Sequence, residues 1–152
     1  MTIHESFAEQ VERTPDHIAL LFEDKELTYR ELNKRADQLA HLLQSKGFEA
    51  NTIVGLMLER SLEMIVGILA ILKSGCAYLP IDPGYPEERI QYMLEDSNAK
   101  ILVTTSFLAE EGEKLGRVEV RPLPPVPVTS LAYVFGFHGE TQRSIGRAFF
   151  SD

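Results

Sequence analysis

Between Thr52 and Thr105 the sequence alternates short apolar runs with helical stretches, and few folds accept that order. TIVGLML (Thr52 to Leu58), CAYLPID (Cys76 to Asp82) and KILVTT (Lys100 to Thr105) have the length and composition of strands. SLEMIVGILAILKSG (Ser61 to Gly75) and EERIQYMLEDS (Glu87 to Ser97) are long enough for helices and separate them. Strands joined through single helices imply βαβ units, and so an α/β protein with a parallel sheet and helices on both faces. The apolar run Met64 to Leu72 is expected to be enclosed by its neighbours.

The preceding residues read as two more helices around a pair of short extended runs. Ile3, Phe7 and Val11 fall on one face of a helix that should end at Thr14-Pro15-Asp16, because proline cannot continue it. IALLF (Ile18 to Phe22) reads as a buried strand, EDKE (Glu23 to Glu26) as a polar turn, and LTY (Leu27 to Tyr29) as extended. Thr28 and Glu31 have the spacing of a capping box. The helix they open should run to about Lys46, bury Leu32, Ala36, Leu39, Ala40 and Leu43, and stop at Gly47. Beyond Ser106 the pattern weakens to a short acidic helix (Leu108 to Leu115) and then RPLPPVPV (Arg121 to Val128). Its prolines block helix and ladder bonding, so that segment is expected to be an extended loop.

Charge and cysteine content narrow the class further. A net charge of −8 with no basic cluster disfavours nucleic-acid and anionic-membrane partners. With 44% hydrophobic and 25% charged residues, a 152-residue chain can form one globular domain with a real core. One cysteine, Cys76, permits no intramolecular disulfide. Met1 leads into the polar THES, not a signal sequence, and the longest apolar run is too short to span a bilayer. A soluble cytoplasmic protein is the expectation.

The chemistry-bearing residues are few. His4, His17, His41 and His138 lack metal-ligand spacing. Cys76 follows a helix C-terminus, where the dipole disfavours a thiolate, and reads as a small core residue. Asp82 ends a strand before Pro83-Gly84, a place for a ligand contact but more simply a turn-former. Asp37 and His41 lie one helical turn apart and read as a solvated pair. Glu87-Glu88-Arg89 reads as a charged first turn. No glycine-rich phosphate loop occurs in frame, so no catalytic, cofactor-binding or metal-binding residue is assigned.

LTYREL (Leu27 to Leu32) and LKSGCAYLPIDPGYPEERIQYMLEDS (Leu72 to Ser97) resemble the first two core motifs of nonribosomal peptide synthetase adenylation domains. IHESFAEQVERTPDHIAL, GLMLERSLEMIVGILAILKSG and AKILVT fit the same family in the same order. The resemblance is continuous from Thr2 to about Thr105 and resumes at LAYV (Leu131 to Val134). It implies that residues 1–134 are a partial adenylation domain, an incomplete N-terminal subdomain of the adenylate-forming enzyme fold. It also implies a parent reaction: ATP-dependent activation of an amino acid as its adenylate, then transfer to a phosphopantetheine carrier, with Mg2+ as the metal. The matched motifs do not hold the family's catalytic residues, and no cofactor is expected on this chain alone.

After LAYV the family continues into a Ser/Thr/Gly-rich loop of the form YTSGSTGKPKG, whose backbone N–H groups and lysine cradle phosphates. Here the chain reads FGFHGETQRSIGRAF instead. Codons exist for this stretch that, read one base later, give SGSTGKPKGVSVEH. Residues 135–152 are therefore expected to be a non-family, out-of-frame tail, the alternative being a native one. On this reading the chain is inactive alone. Two further readings are completion in trans by the remainder of a synthetase, and a non-catalytic binding or scaffold module using the acidic surface and PLPPVP (Pro122 to Pro127).

Overall fold

The computed structural model describes residues 2–115 and 118–125. Capping chemistry sets the helix starts. Helix α1 (Ile3–Arg13) opens on Thr2 and helix α2 (Tyr29–Ser45) on Thr28, each with the reciprocal threonine and glutamate bonds of a capping box. Between them, strands β1 (Ile18–Phe22) and β2 (Lys25–Thr28) form a separate antiparallel hairpin in which Phe22 faces Lys25. Lys25 and Glu26, expected in a turn, belong to this hairpin. Only Glu23-Asp24 turns, with Glu23 at φ 57°.

The next residues build the parallel sheet. Strand β3 (Ile53–Met57), helix α3 (Leu62–Lys73), strand β4 (Ala77–Ile81), helix α4 (Glu87–Ser97) and strand β5 (Ile101–Thr105) follow in order. Gly75, at φ 81°, ends α3: its N–H donates to Leu72 O, and the N–H of Cys76 reaches back to Ile71 O at 3.1 Å. Those two bonds satisfy carbonyls that the last turn would otherwise leave open. Asn98 ends α4 in the same left-handed region, at φ 58°.

A short 3-10 turn (Ser106–Leu108) and helix α5 (Ala109–Glu113) lead to strand β6 (Glu119–Leu123). That strand corrects the expectation of a loop at Arg121 to Leu123. Glu119 to Leu123 pair in parallel with Ile101 to Thr105, with Pro122 inside the strand. Proline is compatible with a ladder when its missing N–H points away from the neighbour, which only an outer strand allows. Val126 to Val128, the rest of the proline-rich segment, lie outside the described residues.

The four-stranded sheet has the order β4-β3-β5-β6 and separates two apolar layers. On one face Val54, Leu56, Ile101 and Val103 meet α2 and α3 through Leu32, Ala36, Leu43, Ile65 and Ile71. On the other, Met57, Ile81 and Leu102 meet Ile90 and Leu94 of α4. Helices thus cover both faces. Leu32, Ala36, Leu39, Ala40 and Leu43 are the buried face of α2 read from its periodicity, and α3 is enclosed over most of its length.

Charged side chains fasten the helical layer at its margins. Lys73 Nζ donates to Asp37 Oδ1 at 2.7 Å and to Asn33 Oδ1 at 2.5 Å, and sits 5.6 Å from the Phe7 ring centroid, so one ammonium ties α1, α2 and α3. Glu119 accepts from Lys46 at 2.8 Å and from Arg121 at 3.0 Å, joining β6 to the end of α2. The bond from Lys46, then that from Arg121, holds the Glu119 carboxyl below its ordinary value of 4.5. A depressed folded pKa stabilises above the unfolded value and is lost as pH falls through the folded one. Glu119→Gln should therefore cost no more than about 0.5 kcal/mol at pH 7, this pair being well exposed. The difference from the parent chain should shrink as pH falls below the ordinary carboxylate value, as urea unfolding at pH 7 and in acid would show.

Candidate functional site

In open α/β sheets ligands gather beyond the carboxyl ends of the strands, where the chain changes direction across the sheet. Here α3 carries the chain from β3 outward to β4, and α4 carries it back across to β5. The switch point lies between β3 and β5, which pair in parallel with Met57 opposite Thr104. Thr104 is fully buried, and its Oγ1 donates to Met57 O at 2.5 Å. That bond fixes the two strand ends from which the loops diverge.

Two open cavities lie at this end of the sheet. One, of about 440 Å³, is bounded by Leu58, Glu59, Arg60, Met64, Asp82 and Tyr85. The other, of about 280 Å³, lies beside it, with Met57, Tyr85, Glu87 and Lys114 on its walls. Tyr85 separates them, its ring covered by the Arg89 guanidinium at 3.9 Å. The N-terminus of α3 also points here, but the Met64 amide is taken by the Ser61 hydroxyl at 3.2 Å.

Of the chemistry-bearing residues, those the structure describes do not come together as a catalytic group. Cys76 is a free thiol buried in the α2–α3 layer. Asp82 turns its Oδ1 onto the Gly84 N–H at 2.8 Å, while its carbonyl accepts from Tyr85 N, so it shapes the turn. Asp37 does not form the solvated pair read with His41: its oxygens accept from Lys73 and Asn33, because the end of α3 brings an ammonium over α2. Glu87 and Glu88 occupy the exposed first turn of α4. His138 lies outside the described residues.

Sequence reasoning passed over Thr104 and Lys73. Each had a signal: a hydroxyl inside the apolar run KILVTT, and a cation closing an otherwise apolar helix. Thr104→Val keeps the shape and removes the bond to Met57, so it should lower stability by about 1 kcal/mol. Thr104→Ser keeps the bond but loses a buried methyl, so it too should cost about 1 kcal/mol. A valine variant with the urea midpoint of the parent would discount the bond.

ATP and Mg2+ need a phosphate cradle and oxygen ligands. The described residues do not fit that need. No group of three or more His, Cys, Asp and Glu converges among them, and the α3 N-terminus is capped by its own serine. No helix among them is long and apolar enough to cross a membrane.

The sequence matches the AMP-binding enzyme family over residues 7–147. It is 61% identical over 102 residues to bacitracin synthase 2 of Bacillus licheniformis, an alignment covering 67% of this chain and 4% of the synthase. It is 57% identical over 107 residues to tyrocidine synthase 3 of Brevibacillus parabrevis, covering 70% of this chain and 2% of that synthase. The chain therefore spans a small part of the curated relatives it matches. Among solved structures, the nonribosomal peptide synthetase FmoA3 in its α-methyl-L-serine-AMP bound form superposes with a TM-score of 0.76 at 30% identity, over 85% of this chain and 15% of that one. The N-terminal subdomain of Klebsiella oxytoca NpsA superposes with a TM-score of 0.66 at 29% identity, over 84% of this chain and 35% of that one. By sequence and by fold, this chain belongs to the AMP-binding enzyme family, where it corresponds to the N-terminal part of nonribosomal peptide synthetase adenylation domains.

Proposed function

We propose that the chain derives from an enzyme that activates an amino acid with ATP as the aminoacyl adenylate and loads it onto a phosphopantetheine carrier. In that reaction the chain contributes scaffold: the sheet, its helical layers and the floor of the crevice at the switch point. By itself the 152-residue chain does not adenylate. The observation that carries this reading is the stretch after LAYV, where the in-frame sequence has FGFHGETQR in place of a phosphate-binding SGSTGKPKG. Gly136 and Gly139 keep the glycine spacing of that loop, which a one-base displacement allows where both codons are GGG. Residues 135–152 are proposed to be translated out of frame, and they lie outside the described residues. Without the loop's amides and lysine, the charge that develops on the transferring phosphoryl group has nothing to offset it.

Amino-acid-dependent ATP–pyrophosphate exchange by the purified chain tests the proposal across the proteinogenic amino acids. The expected result is exchange at the no-enzyme background for all of them. Exchange above background with any amino acid would show that the chain carries a working site.

The relatives are multidomain synthetases, which also favours completion in trans by a separate chain that supplies the rest of the domain. Co-expression with the residues encoded in the displaced frame would then restore exchange that neither chain shows alone.

A further inference from the structure

Helix α1 satisfies its own ends. Thr2 and Glu5 bond each other at its start. At its finish the Thr14 N–H donates to Gln10 O at 2.9 Å, and the Gln10 amide donates to Thr14 Oγ1 at 2.6 Å. Arg13 donates to Gln10 Oε1 at 3.2 Å. Among the described residues, the side chains of α1 thus bond only within residues 2–14. Of helices α1 to α4, it alone buries no residue.

What holds it down is centred on one ring. Ile3 and Phe7 lie a turn apart on the same face, yet Ile3 is 70% exposed. Phe7 packs against the α2–α3 layer, with the Tyr29 ring 6.0 Å from its centroid and Lys73 Nζ at 5.6 Å. The seat under that ring is built without α1. Asp37 and Asn33 hold the Lys73 ammonium, and the Tyr29 N–H donates to His17 O at 3.0 Å.

The connection after α1 is fixed just as independently. The carbonyls of Pro15 and His17 take the Arg30 and Tyr29 amides, two of the open donors at the start of α2. Thr14 stands at the junction: its N–H belongs to α1, whereas its carbonyl accepts from His17 N at 3.2 Å. Rotation at Thr14 would therefore swing α1 as a body and leave the bonds on either side intact.

We infer that α1 is a hinged element, which undocks at Thr14 by withdrawing Phe7 while the hairpin, α2, α3 and the sheet stay folded. A segment with few buried contacts and no bonds outside itself opens at lower free energy than the body that carries it. Once away from its seat, an 11-residue helix is marginal in water, so undocking also exposes its amides.

Amide exchange on the full chain in increasing urea, below the unfolding transition, tests this. The amides of Phe7 to Arg13 should exchange with a shallower urea dependence than those of Leu39 to Leu43 in α2, because undocking exposes less surface than unfolding. Phe7→Leu should speed the α1 amides about fivefold, through loss of the ring pair and the cation above it. Ile65→Val, which trims the buried α3 core without touching the seat, should speed the α2 amides about fivefold and leave those of α1 unchanged. That asymmetry arises only if the state with α1 undocked keeps the core. Equal urea dependences, or α1 amides that quicken with Ile65→Val as much as those of α2, would mean that α1 opens only with the whole and would overturn the inference. So would α1 amides indifferent to Phe7→Leu.

Discussion

Gly67→Val should lower the unfolding free energy by about 2–3 kcal/mol. Helix propensity alone predicts the opposite, since glycine in a helix interior costs about 1 kcal/mol relative to alanine. The deciding magnitude is steric. A Cβ at Gly67 would stand 2.7 Å from Leu56 Cδ1 and 3.7 Å from Leu123 Cδ1. Leu56 is 2% exposed, so its methyl cannot swing into solvent, and a close-packed layer yields only by shifting α3 off β3. Valine adds two further carbons in the same direction. Gly67→Ala balances the propensity gain against one contact and should cost less than half as much. Urea midpoints for the series would separate these terms. A valine variant as stable as the parent would mean that α3 does not lie this close to the sheet.

The order of elements was open to sequence reasoning because each rested on a local rule. Thr28 and Glu31 fix a helix start without reference to anything distant, and Gly47 and Gly75 fix two ends through the backbone region that glycine adopts cheaply. The periodicity of α2 named its buried face because a helix against one layer buries a single stripe. What stayed illegible was non-local. Lys25 and Glu26 look like turn residues until β1 is known to run antiparallel to them. Arg121 to Leu123 look like a loop because a proline argues against a strand, and only the position of β6 at the edge removes the objection. Asp37 finds its cation from a residue 36 positions away on a different helix. The candidate site follows the same division. Its turn, built on Asp82, Gly84 and Tyr85, could be read from the sequence, whereas the Thr104–Met57 bond at the switch point depends on which strands are neighbours.

That division bears on whether the piece folds as one body, and Leu102→Ala is the sharper test of it. Leu102 is fully buried in β5, an inner strand of the sheet, and belongs to the layer under α4. Its two methyls fill the space left by two glycines: Cδ1 lies 2.9 Å from where a Gly55 Cβ would be, and Cδ2 3.2 Å from that of Gly112. Truncation to alanine empties a site walled in part by glycine backbone, which cannot close over it, so the cost should fall at about 3–5 kcal/mol. Against a total stability of about 5–15 kcal/mol for a domain of this size, that is a large share. The more telling result is its shape. The larger layer, formed by α2, α3 and the hairpin, is a separate apolar cluster from that of Leu102, but the two share β3 and β5. If the sheet couples the two layers, Leu102→Ala lowers a single transition, and circular dichroism of the helices moves together with exchange of the β3 and β5 amides. If the helical layer keeps its midpoint while the α4 layer melts early, the sheet does not bind the halves into one cooperative unit. The chain would then need further residues to complete a cooperative fold.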